Sequence, residues 1–254
     1  MTKVIIFANQ KGGVGKTTCC RELGIYFASI GKKILFIDAD PQGNLTNGLI
    51  TNDGKNGLFE ALTGGEYIFK KYSDNIYILS GDSRLTGLSK SLVGEIDAYT
   101  RLKAVLQNEK FKDFDYIFID SLPGFDALTI NSLTACTDVI VPMSPAEYTL
   151  QGTNDLLLSI TKIKNNYNSE IKITGIIINA FDSRPIITRE IREEISRVFG
   201  DKVFSSVLSK TIKIEEAISS KTGVIFLRNL DNSRVKEEVT LIGNELLQRM
   251  EGLR

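Results

Sequence analysis

The chain of 254 residues contains no histidine and no tryptophan, and only three cysteines. Without histidine, Ser-His-Asp triads, imidazole acid–base chemistry and ordinary zinc sites are excluded. The cysteines are Cys19, Cys20 and Cys136. An odd count with an adjacent pair is neither a disulfide framework nor a metal-binding spacing. Such usage points to a reducing cytoplasm. Excess charge is also missing, since 31 Lys and Arg face 31 Asp and Glu. No field of one sign draws the whole chain to nucleic acid, so any such binding must rest on a local patch. No run of about 18 apolar residues occurs, which excludes a transmembrane helix. The N-terminal apolar segment is too short and wrongly flanked for a signal peptide.

What is present is the composition of a globular domain, 42% hydrophobic and 24% charged. At this length about three quarters of the unfolded surface can be buried on folding, so one large core is attainable. Too much apolar residue and too little net charge exclude disorder as a whole-chain description.

Short apolar runs rich in β-branched residues recur at 4–7, 34–37, 76–79, 116–119, 139–141, 173–178 and 203–208. They are continuous rather than alternating, as expected of strands covered on both faces. Helical patterns at 16–30, 99–107, 127–135, 150–163, 187–199 and 233–250 intervene. Alternation of this kind predicts an α/β fold, a mostly parallel twisted sheet of about seven or eight strands with helices on both faces. No repeat, linker or low-complexity tract divides the chain, and 51–56 reads as a surface loop. One domain over 1–254 is expected, without an N-terminal DNA-reading module.

The segment Gly12-Gly13-Val14-Gly15-Lys16-Thr17-Thr18 lies between the first strand and the first helix. Glycines let the backbone wrap closely and turn successive N–H groups inward. The helix N-terminus adds its positive end. Lys16 then supplies a point charge for β- and γ-phosphates, and the Thr17 hydroxyl can ligate Mg²⁺. Lys11 stands where the simple P-loop pattern has its first glycine. A second lysine adds little at one nucleotide, so it makes better sense reaching a nucleotide on another subunit. Its place at the loop's outer lip predicts a side chain free to extend away from its own site.

Two of the apolar runs end in acids. One enters Asp38-Ala39-Asp40-Pro41-Gln42-Gly43-Asn44, the other Asp120-Ser121-Leu122-Pro123. Carboxyl ends of parallel strands are where ligands sit. Asp120 fits a carboxylate that holds Mg²⁺, and Asp40 one that positions the attacking water. Asp38 fits either the metal shell or a brace for the loop.

Lys11 through Thr18, together with Asp38 through Asn44, resembles the ParA family of partition ATPases with its deviant Walker A motif. The likeness extends through Phe114-Asp115-Tyr116-Ile117-Phe118-Ile119-Asp120, Thr129 to Leu133, Pro142 to Gly152, and Asn179 to Arg184. Glu216-Ala217-Ile218-Ser219 resembles the family's Glu-Ala-Pro-Ser, with Ile218 in the proline position. Ser121-Leu122-Pro123 and Gly124-Phe125-Asp126 depart from the family's usual Cys-Pro-Pro stretch. The resemblance implies an ATP- and Mg²⁺-dependent sandwich homodimer. Lys11, Lys16 and Asp40 would be catalytic. Lys11, Gly12, Gly13, Val14, Gly15, Lys16, Thr17, Thr18 and Asn179 would bind nucleotide, Asn179 at the adenine. Thr17, Asp120 and Asp38 would serve the metal. The dimer would bind DNA without sequence preference, with a ParB-type protein stimulating hydrolysis, in the nucleoid-associated cytoplasm.

Lys210, Lys213, Lys221, Arg228, Arg234 and Lys236 form a mild basic excess near the C-terminus. Lys210, Lys213 and Arg234 are the candidates for DNA phosphates, and an ordinary solvated face is the alternative. A MinD-like ATPase would instead grip membrane with its C-terminal helix. Here that helix sets Val235, Val239, Ile242, Leu246, Met250 and Leu253 against an acidic opposite face. An anionic bilayer repels such a face, so packing on the core is expected. An iron–sulfur ATPase needs two suitably placed thiolates per subunit, which these cysteines do not supply. They read as small buried residues.

Overall fold

In the computed structural model, residues 2–227 and 233–252 are described. The strands are β1 (Lys3–Phe7), β2 (Ile34–Asp38), β3 (Lys70–Ser73), β4 (Ile76–Leu79), β5 (Tyr116–Asp120), β6 (Asp138–Met143), β7 (Lys172–Phe181) and β8 (Leu208–Ser209). They form one sheet in the order β3-β4-β2-β5-β1-β6-β7-β8. Only β3 runs antiparallel, against β4; the other pairs are parallel. The mostly parallel α/β fold expected from the sequence is therefore the fold observed.

The helices among the described residues are α1 (Lys16–Ser29), α2 (Asn44–Asn47), α3 (Leu58–Thr63), α4 (Arg84–Leu92) and α5 (Arg101–Val105), followed by α6 (Ala127–Ala135), α7 (Leu150–Asn166), α8 (Ile186–Phe199), α9 (Ile212–Ser219) and α10 (Arg234–Glu251). Strand pleating explains why both faces of the sheet are covered. Successive side chains point to opposite sides. Val4 and Ile6 of β1, with Leu35 and Ile37 of β2, join one buried cluster with Leu128, Leu156 and Ile160 of α6 and α7. Ile5, Phe7, Ile34 and Phe36 join a second cluster with Leu23, Phe27 and Leu246 of α1 and α10. The central strands β1, β2 and β5, covered on both faces, must then be apolar along most of their length, which is the continuous pattern of their sequence.

The structure departs from the sequence reading in places. The 203–208 run pairs only at Val203, opposite Ile176, and again from Leu208. Between them Phe204 and Val207 are buried, so their apolar character serves the core and not a ladder. The expected 99–107 helix shrinks to Arg101–Val105. The polar strand β3 and helices α4 and α9 carried no strong apolar run and were not foreseen. Helix α10 buries Val235, Val239, Ile242, Leu246 and Met250. Gly243 lets it approach α1 closely, since a Cβ there would lie 2.2 Å from the Tyr26 ring. Its apolar side is therefore spent inside the protein and not presented to a bilayer. Leu253 and Arg228 lie outside the described residues, and among the described residues no helix is long and apolar enough to cross a membrane.

Candidate functional site

Strands β2, β5 and β1 are neighbours at the centre of the sheet. The segments that follow their carboxyl ends therefore converge. The glycine-rich loop leaves β1 and enters α1 through Gly15, whose φ of 93° is in the left-handed region. No side chain caps this helix. Its first N–H groups are thus left to an external anion, favoured there by the helix dipole. Beside the loop opens a cleft of about 940 Å³ that includes Gly13, Lys16, Thr17, Thr18, Asp40 and Gln42 in its wall.

Lys16 is buried, and its Nζ donates to the Lys11 carbonyl at 2.8 Å. Burial lowers its pKa, while Asp120 and Asp40 nearby oppose that shift. Asp120 is completely buried, and both carboxylate oxygens lack a hydrogen-bond partner among the described residues. Burial and the charge of Asp38 push its pKa well above the carboxylate range, and the nearby Thr17 hydroxyl offsets this only in part. Two orphaned buried oxygens of this kind are costly unless a cation or donor completes them.

Asp38 is completed otherwise. Its Oδ2 accepts from the Thr46 amide at 2.8 Å and the Thr46 hydroxyl at 2.6 Å. Its Oδ1 accepts from the Asp40 amide at 3.3 Å. Burial nevertheless raises its pKa to about 6. Of the two roles the sequence left open, these bonds are those of a brace: Asp38 pins the loop after β2 to α2, and its metal assignment gains no support. Thr46 also accepts from the Gly81 amide at 3.2 Å, so one hydroxyl links three segments. Asp40 lines the cleft, and its Oδ1 accepts from the Gln42 amide at 2.9 Å.

Lys11 departs from expectation. Its side chain is not free at the lip. The ammonium donates to the Glu147 carbonyl of the same subunit, in the turn Pro145–Glu147 that follows β6. That acceptor comes from the chain's fold, 136 residues away, and no local pattern announces it. Asn179, at the end of β7, is buried against the loop and donates to the Val14 carbonyl at 3.0 Å. Gly12 and Gly13 are exposed at the loop's outer side, whereas Val14 is buried.

The three DNA candidates are placed differently. Lys210 is exposed. Lys213 pairs with Glu216 at 2.9 Å and Arg234 with Glu238 at 2.8 Å, each along its own helix. Glu238 is buried and also accepts from the Ser209 amide and hydroxyl, so Arg234 is anchored beside β8. The three cysteines are buried and unpaired.

A further constellation escaped sequence reading. On α1, Arg21 and Glu22 form a buried ion pair, each side chain 1% exposed. Arg21 also donates to the carbonyls of Gly48, Ala217 and Thr222, and Glu22 accepts from the Val224 amide at 2.8 Å. Charged neighbours in a helix normally face solvent, so nothing in their pattern marks them as internal.

An anion cradle at a helix N-terminus, a buried lysine at its base and carboxylates at adjacent strand ends define a P-loop nucleotide hydrolase. Comparison with known proteins narrows this class. Residues 2–173 match the family model described as AAA domain. The chain is 34% identical over 223 residues to the chromosome-partitioning ATPase Soj of Treponema pallidum, covering 86% of this chain and 87% of that protein. It is equally 34% identical over 231 residues to the sporulation initiation inhibitor protein Soj of Bacillus subtilis, covering 89% and 91%. Among solved structures, the ATP-analogue and magnesium complex of Mycobacterium smegmatis cobyrinic acid a,c-diamide synthase superposes with a TM-score of 0.85 at 26% identity, covering 100% and 97%. A Borrelia burgdorferi putative plasmid partition protein bound to AMPPNP shares the fold, with a TM-score of 0.79 at 24% identity and 99% coverage of both chains. The chain belongs to the Soj/ParA family of partition ATPases.

Proposed function

We propose that this protein hydrolyses ATP with Mg²⁺, and that the ATP-bound form is a sandwich homodimer. The dimer binds DNA without sequence preference and positions a chromosome, plasmid or other cargo, with a ParB-type partner stimulating turnover in the nucleoid-associated cytoplasm. The observation that carries this reading is the pair of lysines on one loop: Lys16 buried beside Asp40 and Asp120, and Lys11 at the loop's mouth.

The residues present fit Mg²⁺. Asp120 offers two buried, unpartnered oxygens, and Thr17 offers its hydroxyl beside them. Among the described residues no cluster of three or more acids, cysteines and histidines could hold a metal alone. That suits an ion bound through one carboxylate, one hydroxyl and substrate phosphates. When bound, Mg²⁺ supplies charge against that developing on the phosphate oxygens. The loop amides and Lys16 hold the phosphates. Asp40, in the cleft wall, orients the attacking water and accepts its proton. Asn179 braces the loop through its bond to the Val14 carbonyl, and in this reading it also serves the adenine.

The membrane-bound alternative is disfavoured by the buried apolar side of α10. DNA contact by Lys210, Lys213 and Arg234 would come from pairing two weak patches in a dimer, which raises avidity without a new contact. The test is Lys11→Ala. It should bind a fluorescent ATP analogue with modest loss, yet stay monomeric by light scattering with ATP and Mg²⁺ and fail to retain DNA. A variant that dimerises and holds DNA as wild type does would overturn the reading.

A further inference from the structure

The carboxyl ends of β1 and β5 carry the phosphate loop and Asp120, and their amino ends border a second cleft, of about 990 Å³. That volume is at the upper end of what small-molecule sites enclose. Val4, Phe111, Phe114 and Tyr116, all buried, and half-buried Leu106 supply its apolar wall. Lys3, Lys32, Lys103 and Lys112 supply its charge, from β1, the turn before β2, α5 and the segment leading into β5. Asp115 is the acid in this wall, and its Oδ2 is engaged by the Lys33 amide at 2.7 Å. Lys33 Nζ in turn stands 5.2 Å from the centroid of the Phe114 ring, adding positive charge beside the apolar wall. Lys112 pairs with Glu109 at 2.6 Å and Lys32 with Glu251 at 3.9 Å, both pairs open to solvent. Exposed pairs contribute little, so they do not hold these lysines against a better-placed anion. The ammonium groups of Lys3 and Lys103 have no acidic partner among the described residues.

We propose that this cleft binds a small amphipathic anion, an apolar body with a single acidic head. Covering the body with Phe111, Phe114 and Leu106 supplies the attraction, which grows with the apolar area removed from water. The lysine stems extend the apolar wall, while their ammonium groups stay in water at the rim and meet the head. A cleft lined by charge of one sign between low-dielectric walls also concentrates anions at its mouth. A neutral apolar molecule gains nothing from the lysines, and a cation is repelled. A small anion without a body meets flexible ammonium groups that do not enclose it, and it leaves the apolar wall wet. The cleft lies at the opposite edge of the sheet from Lys16 and Asp40, so the proposal does not rest on the function assigned to them.

The experiment is a titration of the full chain with anilinonaphthalene sulfonate, an aromatic body bearing one sulfonate, followed by its fluorescence. ADP and Mg²⁺ are present at saturation, so that the nucleotide cleft is filled. The probe should bind saturably, one per chain. Octanoate should displace it. Octanol, which has the body without the charge, and acetate, which has the head without the body, should each compete at least about tenfold more weakly. Lys3→Met combined with Lys103→Met keeps both stems and removes both charges. It should lower the affinity for probe and octanoate about tenfold, and leave ATP-analogue affinity and the urea midpoint unchanged. If that pair does not fold, Lys103→Met alone, at an exposed position of α5, carries the test with the same sign. Absence of saturable binding, displacement by octanol or acetate as good as by octanoate, or unchanged affinity in the lysine variants would overturn the site.

Discussion

The side-chain amide of Asn179 occupies the space that any side chain on Gly15 would need. A Cβ on Gly15 would lie 1.9 Å from Asn179 Nδ2, which itself donates to the Val14 carbonyl at 3.0 Å. The tip of β7 thereby holds the phosphate loop from behind. Gly15 also carries a φ of 93°, which L side chains rarely adopt. Gly15→Ala should therefore lose about 1–3 kcal/mol of stability through overpacking and strain, and at least tenfold in ATP-analogue affinity. Adding Asn179→Ala should recover the steric part alone. Urea unfolding and a fluorescent-nucleotide titration give the two readouts. Wild-type affinity in Gly15→Ala would show that the loop tolerates the displacement.

Asp40→Ala should bind ATP normally and hydrolyse it about 10²–10⁴-fold more slowly, the usual contribution of a positioned proton acceptor. Water positioning acts on the transition state more than on the ground state. Single-turnover phosphate release beside a nucleotide titration separates the two. Normal turnover would mean that another group orients the water.

Asp120 gives a pH-dependent prediction. Its folded-state pKa is raised above the ordinary value, chiefly by burial. A raised acid favours folding while it is protonated in both states and loses that advantage as pH climbs through the folded-state value. At pH 8 the unfolded chain has released this proton and the raised acid has lost stability relative to low pH, so Asp120→Asn should unfold at higher denaturant than wild type there. The gap should narrow as pH falls and vanish near the unfolded carboxyl pKa. Mg²⁺ with an ATP analogue should stabilise wild type more than the variant. A gap independent of pH would remove ionisation of Asp120 from the account.

The Arg21–Glu22 pair ties α1 to Gly48, Ala217, Thr222 and Val224. Removing one partner leaves the other charge buried alone. Glu22→Ala should cost about 3–5 kcal/mol, and Arg21→Met a similar amount. Replacing both by methionine should cost less than the sum, because no uncompensated charge remains. Denaturant midpoints of the three variants test this. Additive losses would mean that the two side chains act independently.

Much of the architecture was legible because a buried parallel strand has no choice but to be apolar throughout. The runs at 4–7, 34–37, 76–79 and 116–119 correspond closely to β1, β2, β4 and β5. Where the same composition served packing instead, as with Phe204 and Val207, the sequence overstated a strand. The polar β3 was invisible for the converse reason: an edge strand paired on one side carries no apolar signature.

The phosphate loop and its acids were equally plain, because local chemistry dictates them. Glycines with positive φ, a lysine at the helix start and acids at strand ends need only a few adjacent residues to be recognised. The tertiary structure decided which oxygens those acids keep for themselves. Thr46 satisfies Asp38, whereas the Asp120 oxygens have no well-formed hydrogen bond among the described residues and only the nearby Thr17 hydroxyl offsets their burial in part, so two aspartates of similar sequence setting part company. It also decided that Lys11 donates to the Glu147 carbonyl, that Asn179 backs the loop and that Arg21 and Glu22 lie inside. Each of these contacts joins residues far apart in the chain, or depends on a partner that only the folded sheet brings near. Spacing along a sequence encodes what neighbours do; hydrogen-bond satisfaction in a dry interior is settled only when distant segments meet.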